Sequence, residues 1–318
     1  ITFQAYQAKA KTQKFIENVK EIYAVDWLKI EIHCDHDSIT LSDGMTTYIQ
    51  KQGDSFDLDN ISLSYKKTCL KGSYNSSIFI KSTKESSVLE IEGNFFKFLY
   101  GQNITGTTNI TKLVSDLIEY LKDNDLVTPT AEQLKKIECG DFKITLIDLN
   151  KALVFETKEK AINYLNRIRT AGSYPNRKNK HVEDNGVYFN KESKRLVIKY
   201  YHKGTEIIAN SKHQSAITDD LKALADLTVR FEIRLKWRDL NDKEKLYASS
   251  WSDEFIRNTV DTAHSKLRLP DEISLEHLPK AYRKFMICYE QGQVHEAYTD
   301  STIKRYKSDL MKKYGISL

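Results

Sequence analysis

The chain has 318 residues, of which 40% are hydrophobic and 29% are charged, and its formal net charge is +5. This is the composition of an ordinary globular protein with room for two domains. No apolar run approaches the roughly 20 residues that a membrane-spanning helix needs, so we expect no such helix and no membrane partner. The mild positive charge permits a polyanionic partner without requiring one.

The cysteines lie far apart in the sequence and include no CxxC pair. The four are Cys34, Cys69, Cys139 and Cys288. Their spacing argues against a zinc ribbon and against a disulfide framework. We therefore expect a reducing, intracellular setting.

The N-terminal half is predicted to be several strands followed by a helix. Residues 3–23 have the spacing of a basic amphipathic helix. DWLKIEIHCDHD predicts a strand with Leu28, Ile30 and Ile32 facing inward, and SSIFIKS and SVLEIEGN predict two more. After the loop GQNITGTTN, the segment TKLVSDLIEYLKDN has apolar residues at helical spacing.

The second half repeats this pattern after a predicted linker around VTPTAEQ. FKITLIDLN predicts a strand, and the helix that follows is expected to be capped by Thr157 and ended by Gly172. A polar loop, SYPNRKNKHVEDN, precedes an antiparallel hairpin formed by VYF and LVIKYYHKGTE. DDLKALADL then predicts a short helix, and TVRFEIRLKW predicts another strand.

From about residue 240 the strand pattern stops and the remainder is predicted to be short helices. From residue 280 onward this tail carries eight Lys and Arg residues against four acids, an excess that a solvated helical face explains as well as DNA binding does. The predicted fold is therefore α+β, with two antiparallel-sheet lobes, helices packed on one face, and a small helical C-terminal region. The expected divisions are an N-terminal helical extension (1–25), an N-terminal lobe (26–130), a catalytic lobe (131–240) and a helical DNA-binding region (241–318).

The segment 196–206, LVIKYYHKGTE, alternates between an apolar and a polar face. Alternation with period two places Tyr200 on the apolar face, and Tyr201 on the polar face between Lys199 and Lys203. A buried face and a solvated face explain this pattern without any chemistry. Alternatively, the tyrosine hydroxyl is a nucleophile, because flanking cations favour the phenolate and would hold a phosphate against it.

Polar residues also line the two other predicted strands of this half: Asp148 and Asn150 on one, and Arg230, Glu232 and Arg234 on the other. If the three strands are neighbours in one antiparallel sheet, their polar residues converge on its open surface. Asp148, Glu206 and Glu232 would then offer oxygen ligands to a hard cation, Mg²⁺ or Mn²⁺. A hydroxyl, a metal and flanking cations make a phosphoryl-transfer site, whereas independent salt-bridged surface strands are the alternative.

Several segments occur together in a characteristic order: LEIEGNFFKFLYGQNITG, DFKITLIDLN, LVIKYYHKGTEI, VRFEIRLK, LPKAYRKF and STIKRYKSDLMKKYGI. In this order they resemble the replication initiators of filamentous phages, the gene II/X protein family, over residues 26–318. DWLKIEIHCDHD resembles the usual opening of that family. Its members are similar to certain rolling-circle plasmid initiators, with which they share an aspartate strand, a Tyr-x-Lys-x-x-Glu strand and a later Arg-x-Glu strand.

The resemblance implies a rolling-circle replication initiator in the cytoplasm of a bacterial host. Its activity would be metal-dependent, site-specific nicking and joining of DNA through a 5′-phosphotyrosine intermediate, with Tyr201 as the nucleophile. The other implied roles are charge stabilisation by Lys203 and Lys199, metal binding by Asp148, Glu206 and Glu232, and DNA binding by Arg230, Arg234, Lys304 and Arg305. The implied partners are double-stranded and single-stranded origin DNA, a host helicase and a polymerase.

Two other functions remain open. A non-enzymatic protein that binds origin or single-stranded DNA is implied for shorter members of the family, which differ in residues 139–236. A relaxase for plasmid transfer shares the chemistry but not the order of the motifs. Tyr201 is chosen over Tyr200 from the motif spacing and from the face of the strand.

Overall fold

The computed structural model describes residues 21–52, 55–72, 74, 76–83, 87–176, 179–209, 216–269, 278–290, 293–314 and 316. The strands within these ranges are β1 (Glu21–His33), β2 (Met45–Gln52), β3 (Ser55–Tyr65), β4 (Thr68–Lys71), β5 (Ser77–Thr83), β6 (Val88–Gly93), β7 (Lys143–Val154), β8 (Lys180–Glu183), β9 (Gly186–Phe189), β10 (Leu196–His202) and β11 (Thr228–Lys236).

The helices of the same ranges are α1 (Phe95–Tyr100), α2 (Ile110–Asp123), α3 (Ala131–Glu138), α4 (Lys158–Ala171), α5 (Lys203–Ala209), α6 (Asp219–Asp226), α7 (Trp237–Asp242), α8 (Asp253–His264), α9 (Lys280–Glu290), α10 (Val294–Ala297) and α11 (Asp300–Tyr314). None of the described helices combines the length and the apolar character needed to span a bilayer.

Nine strands form one antiparallel sheet in the order β4-β5-β6-β1-β7-β11-β10-β9-β8, and β2 and β3 form a separate hairpin. The predicted α+β class, with antiparallel sheets and a helical C-terminal region, is confirmed. The sheets of the two predicted lobes are joined, because β1 pairs with β6 on one side and with β7 on the other. The strands β7, β11 and β10, which carry most of the predicted site residues, are therefore continuous with β1.

Local signals account for most element boundaries. Thr157 caps α4 by accepting a hydrogen bond from the Lys160 amide, and the helix ends at Gly172, as predicted. The predicted linker after residue 127 instead contains α3, which begins with a capping box formed by Thr130 and Gln133. The polar loop predicted before the VYF strand contains the edge strand β8, which pairs with β9.

The sequence predicts a helical N-terminal extension, with helical spacing over residues 3–23. Residues 1–20 lie outside the described residues, and residues 21–25 belong to β1, so the helix does not extend to residue 23. The alternation predicted for the rest of this strand is confirmed, since Leu28, Ile30 and Ile32 are buried.

The main core lies beneath one face of the sheet, where apolar residues of β7, β10 and β11 pack against α4 and α8. Helices of the second half lie on both faces, because Ile207 of α5 and Leu224 of α6 form a smaller core with Ile104 on the opposite face. The residues of the predicted C-terminal region belong to two different cores. Ile256 and Val260 of α8 belong to the main core, whereas residues 278–316 build a separate core centred on Phe285.

Candidate active site

Strands β10, β11 and β7 are neighbours, which meets the condition stated for the predicted site, and their register aligns the polar side chains in three rungs across the sheet. The rungs are Tyr201–Arg230–Ala152, Lys199–Glu232–Asn150 and Val197–Arg234–Asp148. Because alternate residues of a strand share a face, all three rungs lie on the face opposite the main core. One side of one sheet therefore carries the nucleophile, two carboxylates and three cations of the predicted site.

The two adjacent tyrosines point to opposite faces. Tyr200 is fully buried in the main core, where its ring packs against Phe231 at a centroid distance of 4.8 Å. Tyr201 lies on the polar face opposite Gly186 of β9. A Cβ atom at Gly186 would come within 2.5 Å of the Tyr200 carbonyl oxygen and 3.1 Å of the Tyr201 Cβ, so a glycine is needed for β9 to pair here.

The hydroxyl of Tyr201 donates a 3.1 Å hydrogen bond to Oε2 of Glu232. The Lys199 ammonium lies 4.1 Å from the centre of the Tyr201 ring, an arrangement that the ring quadrupole favours. Tyr201 is only 3% exposed. Burial, followed by the charge of Glu232, raises the pKa of Tyr201 well above its ordinary value, so the expectation that the flanking cations favour the phenolate is wrong for this conformation.

Lys199 is expected to remain charged beside this tyrosine. Burial opposes its positive charge, but Glu232, Tyr188 and Asp26 together raise the pKa of Lys199 above its ordinary value. A fixed cation therefore lies against the aromatic ring of the predicted nucleophile.

Lys203 and Glu206 are not on the strand, contrary to the alternation predicted through residue 206. β10 ends at His202, whose ring caps the next helix: Nε2 donates to the Asp226 carbonyl, and Nδ1 accepts from the Thr205 amide. Helix α5 therefore begins at Lys203.

Helix α5 brings Lys203 back towards Tyr201, with the ammonium 5.9 Å from the ring centre. Its Nζ donates to Oε2 of Glu206 at 2.7 Å and to Oδ1 of Asn103 at 2.9 Å. Burial and the nearby Arg230 charge lower the pKa of Lys203 to about 8. Lys203 is thus a buried amine that can exchange a proton near neutral pH.

The polar face is not open, contrary to the sequence-based expectation, because residues 101–109 fold over it; we call this segment the cover loop. Arg230 is 1% exposed and donates to the carbonyl oxygens of Asn103 at 2.5 Å and Ile104 at 2.8 Å. Asn103 also donates from Nδ2 to Asp26 at 2.9 Å. The predicted DNA ligand Arg230 therefore holds the cover loop in this conformation.

Asp26 is a site residue that the sequence analysis missed. It is the extra residue in β1 where the pairing with β7 shifts between Val25 and Trp27, so it does not follow the alternation of its strand. It forms an ion pair with Arg230 at 3.5 Å and accepts hydrogen bonds from Asn94 and Asn103. Burial raises the pKa of Asp26, but Arg230, Lys203 and Asn103 outweigh that effect and hold it below its ordinary value.

The three predicted metal ligands each have a protein partner. Asp148 accepts two hydrogen bonds from Arg234, at 2.7 and 2.6 Å, while Glu206 is bonded to Lys203 and Glu232 to Tyr201. Within the described ranges, no group of three or more His, Cys, Asp or Glu residues is placed to hold a metal ion. Burial nevertheless raises the pKa of Asp148 to about 7, and the nearby charge of Glu232 adds to this rise.

Lys304 and Arg305, the predicted DNA ligands of the tail, are exposed on α11. The Arg305 guanidinium lies 5.2 Å from the Tyr306 ring centre. These side chains can meet a polyanion without any rearrangement of the core around Phe285.

Residues 24–254, more than half of the chain, match a phage family, Phage_CRI, which is described as the N-terminal part of a replication-associated protein. No curated protein matches the chain. Among solved structures, the chain is similar to a rolling circle replication initiator protein from Geobacillus stearothermophilus, with 11% identity and a TM-score of 0.31 over 77% of this chain and 97% of that one.

Proposed function

The chain belongs to the Phage_CRI family of replication-associated proteins, and from this premise we propose that it is a rolling-circle replication initiator that nicks and rejoins origin DNA. The observation that carries the proposal is the hydrogen bond from the Tyr201 hydroxyl to Glu232, on a sheet face lined by Lys199, Arg230 and Arg234. A nucleophile with its proton acceptor, surrounded by cations, is what transfer of a phosphodiester requires.

In the proposed nicking step, the Tyr201 oxygen attacks the scissile phosphorus while its proton passes to Glu232. The bond from phosphorus to the 3′ oxygen breaks, the 3′ oxygen takes up a proton, and the 5′ phosphate remains joined to the tyrosine. Attack by a 3′ hydroxyl on this phosphotyrosine ester reverses the step. Joining therefore needs no ATP, because the ester retains the energy of the broken bond.

The cations of this face have separate roles in the proposed reaction. Lys199 lies on the Tyr201 ring and stabilises the negative charge that develops on its oxygen. Lys203, whose pKa burial lowers to about 8, is suited to give a proton to the departing 3′ oxygen. Arg234 is 40% exposed and can reach the DNA backbone while it holds Asp148.

A requirement for Mg²⁺ or Mn²⁺ stays a prediction. Asp148 is held by Arg234, and Glu206 by Lys203, so the expected ligands do not form one set in this conformation.

Tyr201 is 3% exposed, and its cross-strand neighbour Arg230 holds the cover loop, so movement of this loop to admit DNA is part of the proposal. We place origin DNA, double-stranded at first and single-stranded after nicking, on this face and on the exposed basic side chains of α11. A host helicase and polymerase in the bacterial cytoplasm would act on the released strand.

The experiment that tests this function uses supercoiled DNA that carries the cognate origin. Incubation with the full chain and Mg²⁺ should give nicked circles with protein covalently attached. Retention of the DNA without nicking would instead support the non-enzymatic origin-binding function.

A further inference from the structure

Asn150 has a buried side-chain amide without a hydrogen-bond partner. It is 1% exposed, and neither its Oδ1 nor its Nδ2 has a partner among the described residues. Buried amides are nearly always bonded, because desolvation without a partner disfavours folding. The same fold satisfies the amide of Asn94, which donates to Asp26 at 2.9 Å and accepts from the Lys97 amide at 2.7 Å.

The position of Asn150 connects it to the nucleophile. It is the direct cross-strand neighbour of Glu232, which accepts the Tyr201 hydroxyl, and Ala24 of β1 lies on its other side. Directly opposed residues have Cβ atoms about 4.5–5.5 Å apart. The cover loop closes at this point, since a Cβ atom at Gly106 would lie 2.5 Å from the Cβ of Ala24.

A phosphorus atom in line for attack lies about 3–3.5 Å from the Tyr201 oxygen. That oxygen is 3.1 Å from Oε2 of Glu232, and Asn150 is the cross-strand neighbour of Glu232, so a phosphate placed for attack would lie on the same face as the Asn150 amide. Arg230 and Lys203 already donate hydrogen bonds to the cover loop, and Arg234 donates two to Asp148. The Asn150 amide is a donor on this face that no such contact occupies.

We propose that Asn150 is a catalytic residue whose Nδ2 donates a hydrogen bond to a nonbridging oxygen of the scissile phosphate. This inference rests on the proposed nicking function. The ligand it requires is an anionic phosphodiester, which the neutral amide binds without placing a further buried charge on the face. The unsatisfied amide of the free protein then gains its partner only during strand transfer.

Asn150→Ala tests the contact. Single-turnover nicking should slow roughly 10- to 100-fold, which is what the loss of one hydrogen bond to a charged group produces. DNA affinity, measured in a Tyr201→Phe background, should change by less than about 2-fold. The thermal midpoint should not fall, because the substitution removes an unsatisfied amide. Asn94→Ala is the matched control for stability, and it should lower the midpoint because it removes two hydrogen bonds.

Asn150→Asp distinguishes between two possible roles of Asn150, a hydrogen-bond donor and a metal ligand. It retains the shape and the oxygen but loses the donor and adds a negative charge, so it should nick no faster than Asn150→Ala. If Asn150→Asp nicks at the wild-type rate, or if added Mg²⁺ restores the alanine variant, then Asn150 acts through a cation and the proposal is wrong.

Sulfur substitution at a nonbridging oxygen of the scissile phosphate provides a further measurement. The sulfur substitution should slow nicking by the wild type more than nicking by Asn150→Ala. The hydrogen bond that sulfur weakens is already missing in the variant. Equal slowing of both overturns the proposal, as does a wild-type nicking rate in Asn150→Ala, or a loss of thermal stability as large as that of Asn94→Ala. A wild type that does not nick overturns the proposed function together with this inference, whereas a wild type that nicks separates the two.

Discussion

Tyr201 and Glu232 are joined by a hydrogen bond of 3.1 Å on the polar face of the sheet, where the two residues are only 3% and 8% exposed. The proposed proton acceptor therefore already contacts Tyr201 in the free protein. Burial, together with the same carboxylate, raises the pKa of Tyr201, so the proton is retained in the free protein. In the proposed function, the predicted nucleophile is therefore protonated and shielded from solvent in the free protein.

Removal of the Tyr201 hydroxyl should abolish nicking. Tyr201→Phe keeps the ring that Lys199 contacts, so the fold and DNA binding should persist while nicking falls below detection. Tyr200→Phe is the matched control, since Tyr200 lies in the main core, and it should retain nicking at a cost of at most about 1 kcal/mol of stability. Peptide mapping of the trapped DNA adduct decides between them, and an adduct on Tyr200 would contradict the assignment.

Chelation tests the predicted metal requirement. We expect EDTA to stop nicking and added Mg²⁺ or Mn²⁺ to restore it, because carboxylates of this face are the expected ligands. Asp148→Ala and Glu232→Ala should each reduce nicking. Full activity in EDTA, or in both variants, would show that the metal assignment is wrong.

Arg230 should be a large contributor to stability. It is 1% exposed and bonded to Asp26 and to two carbonyl oxygens of the cover loop, so Arg230→Ala leaves a buried carboxylate uncompensated and should cost about 3–5 kcal/mol in denaturant unfolding. Arg257→Ala is the control, because its partner Asp253 is half exposed, and it should cost less than about 1 kcal/mol. Equal losses in the two variants would contradict this account of the cover loop.

The segment 278–316 should contribute DNA affinity rather than chemistry. It has its own core, so truncation after residue 269 leaves the main core intact, whereas truncation at residue 240 would remove Ile256 and Val260 from it. The shortened chain should bind origin DNA more weakly and with a smaller dependence on salt, because phosphate contacts release counterions. Binding titrations at several salt concentrations measure both effects, and unchanged affinity would refute the prediction.

Cys34 should resist alkylation in the folded protein. Burial, and then Asp35, raises the pKa of Cys34 from 9.0 to about 12, and only the thiolate reacts. Iodoacetamide at pH 8 to 9 should therefore label the exposed Cys69 and Cys139 but not Cys34.

The same thiol should make the free energy of unfolding depend on pH. Because the native thiol holds its proton to higher pH than the unfolded one, the contribution of Cys34 should lower the free energy of unfolding as pH rises from 9 towards 12. Rapid labelling of Cys34 under native conditions would contradict the assignment.

Alternation correctly separated Tyr200 from Tyr201 because β10 is a regular strand up to His202. It misplaced Lys203 because the start of α5 depends on a histidine ring that caps it, and this contact involves Asp226. Asp26 was missed because the extra residue in β1 breaks the period.

Long-range contacts explain the remaining differences from the sequence-based prediction. The cover loop reaches Arg230, which follows Asn103 by more than a hundred positions, and its polar sequence alone does not specify that contact. The same holds for the pairing of β1 with β7, which joins the two predicted lobes.

The pairing of β7 with both β1 and β11 has a consequence for synthesis on the ribosome. Tyr201 emerges before Glu232 and Arg230, which come on the last strand of the sheet. A nascent chain that ends after residue 201 and before residue 228 has Tyr201 but lacks the strand that carries Glu232 and Arg230, the residue that anchors the cover loop. Since chains begin to fold from the N-terminus as they are made, premature termination in this region should yield fragments in which β7 lacks one of its two partner strands and the predicted site is incomplete.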